Sequence, residues 1–172
     1  SRNHLNNTAL KYLDYADDNS QKILDYKSEE IENKTRLEYN FKKNDYSIII
    51  GSNLEDASYK NNTTQTFTVG NSVVTGINNV NLHFIKYGFF TQISKAYFEN
   101  KLTSSFGLRI DGNSFTDNAN SPNLSPRLSL AYNLNSKASI NSNVGRFHQL
   151  PSYTILGFEN NGNYLNKDAA YI

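Results

Sequence analysis

The chain has 172 residues, enough for one or two ordinary domains, and its formal net charge of +1 argues against nucleic-acid binding through bulk charge. It contains no Cys, Met or Trp, which excludes a disulfide framework and a thiolate metal site. Hydrophobic residues make up only 37% while aromatics reach 13%, a balance that suits a β-protein spending half its strand positions on polar side chains. No apolar run approaches the ~20 residues of a membrane helix. Membrane barrels stay open as a class, because their strands give a weaker hydropathy signal. Ser1 leads directly into polar sequence without a signal-peptide pattern, so the expectation is a processed chain or a fragment.

Residues 1–15 end in TALKYLDY, where Leu10 and Tyr12 share a face, and a strand is expected there. Residues 16–30 are acidic and read as a solvated loop or a helical turn over Ser20–Lys27. Next, Thr35, Leu37, Tyr39 and Phe41 alternate with Arg36, Glu38 and Asn40, the period of two that marks a strand. Lys42–Asp45 is a polar turn, and Tyr46–Asn53 rises from it as another strand. Residues 55–81 are rich in Asn and Thr and read as a long loop, with a small hairpin inside it at Thr64–Val69 and Ser72–Thr75.

The strongest signal follows, from Tyr87 to Pro151. Tyr87, Phe89, Thr91, Ile93 and Tyr97 share one face, and Gly88, Gln92, Ser94 and Ala96 share the other with Phe90. A turn at Glu99–Lys101 leads to Phe106, Leu108 and Ile110, alternating with Ser105, Gly107, Arg109 and Asp111. After a polar loop at 112–124, Leu128, Leu130, Tyr132 and Leu134 alternate with Arg127, Ser129, Ala131 and Asn133. A turn at Asn135–Lys137 precedes Ile140, Ser142 and Val144, and the chain becomes loop-like beyond Pro151.

About seven strands of roughly 8–14 residues are expected. Short turns alternate with long loops, which places all short turns on one edge of an antiparallel up-and-down meander. A soluble sandwich would mix loop lengths at both ends. An outer-membrane barrel segregates them and pairs an apolar outer band with a polar lumen. The polar faces here hold Arg36, Glu38, Gln92, Arg109, Asp111 and Arg127, and the aromatics Tyr39, Phe41, Tyr46, Tyr97, Phe98 and Tyr132 lie near strand ends as an interfacial girdle would need. The pattern therefore favours a membrane barrel over a soluble sandwich.

Residues 125–158 carry a resemblance to a known family. Ser125-Pro126-Arg127-Leu128, and Gly145-Arg146-Phe147-His148-Gln149-Leu150-Pro151 after a short turn, resemble the barrel of a TonB-dependent outer-membrane receptor of the Bacteroidetes type. Tyr87–Gln92 and Phe106–Phe115 are similar to other strands of that family, and the likeness covers roughly residues 30–172. It implies a large barrel of about 22 strands around a plug. Such a receptor sits in the cell outer membrane of Gram-negative bacteria. It imports a scarce ligand (siderophore, haem, glycan or peptide) by plug rearrangement driven through the TonB complex. The partners implied are the chain's own plug domain, the missing barrel strands, outer-membrane lipid and a surface lipoprotein, with no nucleic acid. This chain shows neither a plug-like segment nor a TonB box, so on this reading residues 1–172 are part of the barrel. A soluble all-β carbohydrate- or protein-binding module and a passive porin are the alternatives.

The sequence offers no catalytic constellation, and no enzyme activity, cofactor or metal is expected. His4, His83 and His148 lack paired metal-ligand spacing. The acidic run Asp14, Asp17, Asp18, Asp25, Glu29, Glu30 and Glu32 lacks the order of a calcium loop. Arg36, Glu38, Gln92, Arg109, Asp111, Arg127 and Arg146 are candidates to face a lumen, where cross-strand ion pairs are the plain reading. The resemblance adds plug contact as a role for them. Tyr59, Phe67, His148, Tyr153 and Phe158 are candidates to meet a ligand at the extracellular end.

Overall fold

A computed structural model describes residues 1–13, 22–116, 122–160 and 163–164. Seven strands form one antiparallel sheet in sequence order: β1 (Arg2–Tyr12), β2 (Lys22–Lys43), β3 (Tyr46–Val69), β4 (Ser72–Tyr97), β5 (Leu102–Asn113), β6 (Asn123–Asn135) and β7 (Ala138–Gly145). A four-residue helix α1 (Tyr153–Leu156) follows, then a two-residue strand pair, β8 (Glu159–Asn160) and β9 (Asn163–Tyr164). The up-and-down, all-β meander expected from alternation is present as an open sheet.

Two expectations are corrected. Residues 55–81 are not a loop: β3 and β4 run for 24 and 26 residues and meet at a two-residue turn, Gly70–Asn71. The small hairpin expected there is the tip of this long one. Gly70 has φ of 62°, the left-handed conformation that suits glycine at the first centre of such a turn. Likewise Lys22–Glu30 is strand, not loop or helical turn, with Leu5 opposite Glu30 and Thr8 opposite Lys27. Both segments carry polar side chains on both faces over much of their length. Ladder hydrogen bonds form without an apolar–polar contrast, so period two is hard to see. Short turns and long loops therefore do not alternate without exception. Asp14, Asp17 and Asp18 lie outside the described residues.

The chain divides into two compact units. The first comprises Ser1–Asn33, Asp56–Phe84 and Ser152–Lys167. Among the described residues, every buried apolar side chain belongs to it: Ala57, Tyr59, Val80, Leu82, Phe84, Tyr153 and Leu156. Val80, Leu82 and Phe84 alternate along β4, and α1 sets Tyr153 against them. The Tyr153 ring meets Phe84 edge-on at 5.6 Å and Tyr59 at 5.9 Å. Its hydroxyl donates to the buried carboxylate of Glu32. Such aromatic pairs add about 0.5–1.5 kcal/mol each beyond the area they bury.

The second unit comprises Lys34–Glu55, Ile85–Pro151 and Asp168–Ile172. Among its described residues no apolar side chain is buried. Register aligns its apolar residues in cross-strand rows instead. Ile93 faces Phe106, Phe106 faces Leu128, and Leu128 faces Val144. A second row joins Phe89, Ile110 and Leu124. All seven are exposed, as are the turn-side aromatics Tyr39, Phe41, Tyr46, Tyr97, Phe98 and Tyr132. The turns themselves are tight. Asn44 takes a left-handed φ of 52°, and the Lys137 N–H donates to the Asn135 side chain at 2.8 Å.

Candidate functional site

Alternation that turns the apolar rows one way turns a polar ladder the other way. In the second unit Phe90 pairs with Arg109 and Arg109 with Ser125, while Gln92 pairs with Gly107 and Gly107 with Arg127. The same face carries Arg36 and Glu38 from β2. The guanidinium of Arg36 lies 4.4 Å from the centre of the Phe90 ring, and that of Arg109 lies 5.9 Å from it. Phe90, which broke the polar pattern of its face in the sequence, is thus the platform that two arginines share.

Each of these arginines is held by a carboxylate two residues along its own strand. Arg109 donates from Nε to Asp111 Oδ2 and from Nη2 to Oδ1, both at 2.6 Å. Its Nη2 also donates to Asn53 Oδ1 at 3.0 Å. Arg36 donates from Nη2 to Glu38 Oε2 at 2.6 Å. Sequence spacing implied these pairs, because positions i and i+2 share a face and lie within reach of a planar fork; ion pairs between strands occur as well, at Lys34–Glu55 and Lys86–Glu55. Gly88 clears the space. A Cβ there would overlap Asp111 and come within 2.8 Å of Asn53 Oδ1 and 3.1 Å of Arg109 Nη2.

Two recesses open on this unit and share Arg109. One of about 250 Å³ is lined by Arg36, Glu38, Phe90, Gln92, Arg109 and Arg127 among others. A second, of about 470 Å³, is lined by Asn53, Glu55, Lys86, Arg109, Asp111 and the segment His148–Leu150. Its charges are matched: Lys86 is ion-paired with Glu55, and Arg109 with Asp111. Asn53, Glu55, Lys86 and Phe147 were not candidates in the sequence. Their signal, if any, was strand parity extended past Asn53 and below Tyr87.

Arg36, Glu38, Gln92, Arg109 and Arg127 come together on the 250 Å³ recess, and Asp111 and His148 on the larger one. Arg146 stands just past β7, where its backbone N–H donates to Pro126 O at 3.0 Å. Gln92 donates from its amide to Ser94 at 3.2 Å. Of the candidates for ligand contact, Tyr59, Phe67, Tyr153 and Phe158 belong to the first unit and His148 to the second. Tyr59 lies on β3 rather than in a loop, and like Tyr153 it is buried in the core of the first unit. Burial pushes the Tyr59 phenol above its usual range. Phe67 and Phe158 are exposed.

Two of the three histidines pair with carboxylates: His4 Nε2 lies 2.9 Å from Glu29, and His83 Nε2 2.8 Å from Asp56. No cluster of three or more metal-ligating side chains occurs among the described residues. Compared with protein-family models, with curated proteins and with solved structures, the chain matches none.

Proposed function

We propose that the chain is a segment of the barrel wall of a TonB-dependent outer-membrane receptor, with the second unit as the part that crosses the membrane. The observation that carries this reading is the inverted packing of that unit. Most of its large apolar side chains are exposed and aligned in cross-strand rows, while its arginines, with Glu38 and Gln92, gather with Phe90 on the opposite face. A water-soluble sheet of this kind would need a covering layer. In a bilayer the lipid is that layer, and the polar face lines a lumen.

The dimensions agree. Within the second unit, exposed apolar positions on β4 run from Ile85 to Tyr97, twelve steps; further along the strand, in the first unit, Val73, Val74 and Ile77 are exposed as well. At about 3.3 Å per residue and a tilt of about 45° the steps from Ile85 to Tyr97 rise roughly 28 Å, close to the hydrocarbon thickness. The aromatics beside the tight turns then sit where an interfacial girdle belongs. In this reading the wall supplies a rigid frame and a polar lumen, and transport of a scarce ligand is driven by rearrangement of a plug. Arg36, Glu38, Gln92, Arg109, Asp111, Arg127 and Arg146 are its lumen-side residues. The intact protein should fractionate with the outer membrane and need detergent or lipid to stay monomeric. A monomer that unfolds cooperatively in plain buffer would sink the proposal and favour a soluble binding module.

A further inference from the structure

We propose that Arg127 anchors a seat for a single carboxylate on the polar face of the second unit. This goes beyond the transport reading, since it depends on the local geometry and not on the medium around the sheet. Three arginines line the 250 Å³ recess, together with one carboxylate, Glu38. Arg36 is engaged by Glu38, and Arg109 by Asp111. Among the described residues Arg127 has neither an ion pair nor a side-chain hydrogen bond. Its guanidinium carbon lies 4.6 Å from the centre of the Phe147 ring. Stacking occupies the flat face of the guanidinium and leaves its in-plane N–H donors for a ligand.

Register makes the room. Arg127 pairs with Gly107 on one side and with Gly145 on the other. A Cβ at Gly145 would stand 3.0 Å from Arg127 Cγ, and one at Gly107 would stand 3.8 Å from Arg127 Cβ. With side chains missing from both neighbours, the arginine lies in a trough that opens on the recess. A planar guanidinium edge matches a carboxylate bidentately. With Arg36 and Arg109 neutralised by Glu38 and Asp111, the recess presents one uncompensated positive charge, which a single monoanionic carboxylate matches more closely than a phosphate dianion. Such a carboxylate has two sources: an Asp or Glu side chain on a polypeptide segment seated against this face, or a small free acid.

Arginine-specific modification by a phenylglyoxal, followed residue by residue by mass spectrometry on the intact protein, tests this. Arg36 and Arg109 serve as internal references, because their carboxylates are already in place. If a polypeptide carboxylate occupies the seat, Arg127 starts protected, and both 1 M salt and carbodiimide amidation of carboxylates release it. If the source is a free acid, Arg127 starts reactive, and benzoate slows its modification about tenfold once nine-tenths of the sites are filled. Inorganic phosphate at equal ionic strength should not. Three results overturn the proposal: protection indifferent to salt and amidation, reactivity indifferent to benzoate, or equal protection by phosphate. The comparison can be made in detergent or in plain buffer, so it fails or holds separately from the membrane assignment.

Discussion

Leu128→Arg is the substitution that divides the two media most sharply. Leu128 sits in the row from Ile93 to Val144 and is 44% exposed. On a water-facing surface such a change costs within about 0.5 kcal/mol. On a lipid face the cost depends on depth. Exposed apolar residues on β6 run from Leu124 to Leu134, so the middle of the band falls at residue 129. Leu128 is one step away, about 3 Å along the strand and roughly 2 Å in depth at a 45° tilt. Leu134 is five steps away, about 12 Å in depth, at the edge of a band ~25 Å tall. Arginine near the midplane costs about 2–4 kcal/mol, and near the interface about 0–1. Leu128→Arg should therefore shift the folding equilibrium roughly 30- to 700-fold, and Leu134→Arg less than about tenfold. Urea titration of the intact protein in lipid vesicles, followed by far-UV circular dichroism, measures both. Equal costs for the two variants, both within about 0.5 kcal/mol, would refute the lipid assignment.

Three further expectations follow from contacts. Gly88→Ala forces a Cβ into Asn53, Arg109 and Asp111, and should destabilise the second unit by about 1–3 kcal/mol, read as a lower urea midpoint with the slope unchanged; a neutral result would mean the network is not packed as described. Tyr153→Phe leaves the buried Glu32 carboxylate without its phenolic donor, and should cost about 1–3 kcal/mol in the first unit, seen as faster amide exchange along β2 near Glu32 and no change at Arg109. The hydrogen bond from Lys22 holds Asp25 below its usual carboxylate range. A depressed acid stabilises the fold above its unfolded pKa and loses that contribution as pH falls through the folded one, so protection from exchange near Asp25, taken relative to the intrinsic rate, should fall on acidification below the usual aspartate range, and Lys22→Ala should weaken that pH dependence, with Lys27 supplying the remainder.

Sequence reading succeeded where one face of a strand differed from the other. Phe106, Leu108 and Ile110 against Ser105, Gly107, Arg109 and Asp111 announce both the strand and its two sides, and the pairs Arg36–Glu38 and Arg109–Asp111 follow from the same parity. It failed where that contrast was diluted. Ala57, Tyr59 and Val80 are buried strand positions within residues 55–81, where a surrounding field of Asn and Thr made the segment read as loop. Tyr59 and Tyr153 looked like exposed loop aromatics because nothing local records that α1 returns to cover β3 and β4.

By itself the sequence determined an antiparallel all-β meander, the positions of three tight turns and the two-sidedness of the strands after Thr35. Period two is a local property of the backbone, so it is written in neighbouring residues. The tertiary structure decided what long-range register decides: that Phe90 carries two arginines, that Arg127 lies between Gly107 and Gly145, and that the buried apolar core among the described residues belongs to the first unit alone. Those facts depend on which residue of one strand faces which residue of the next, and no single strand's sequence contains that pairing.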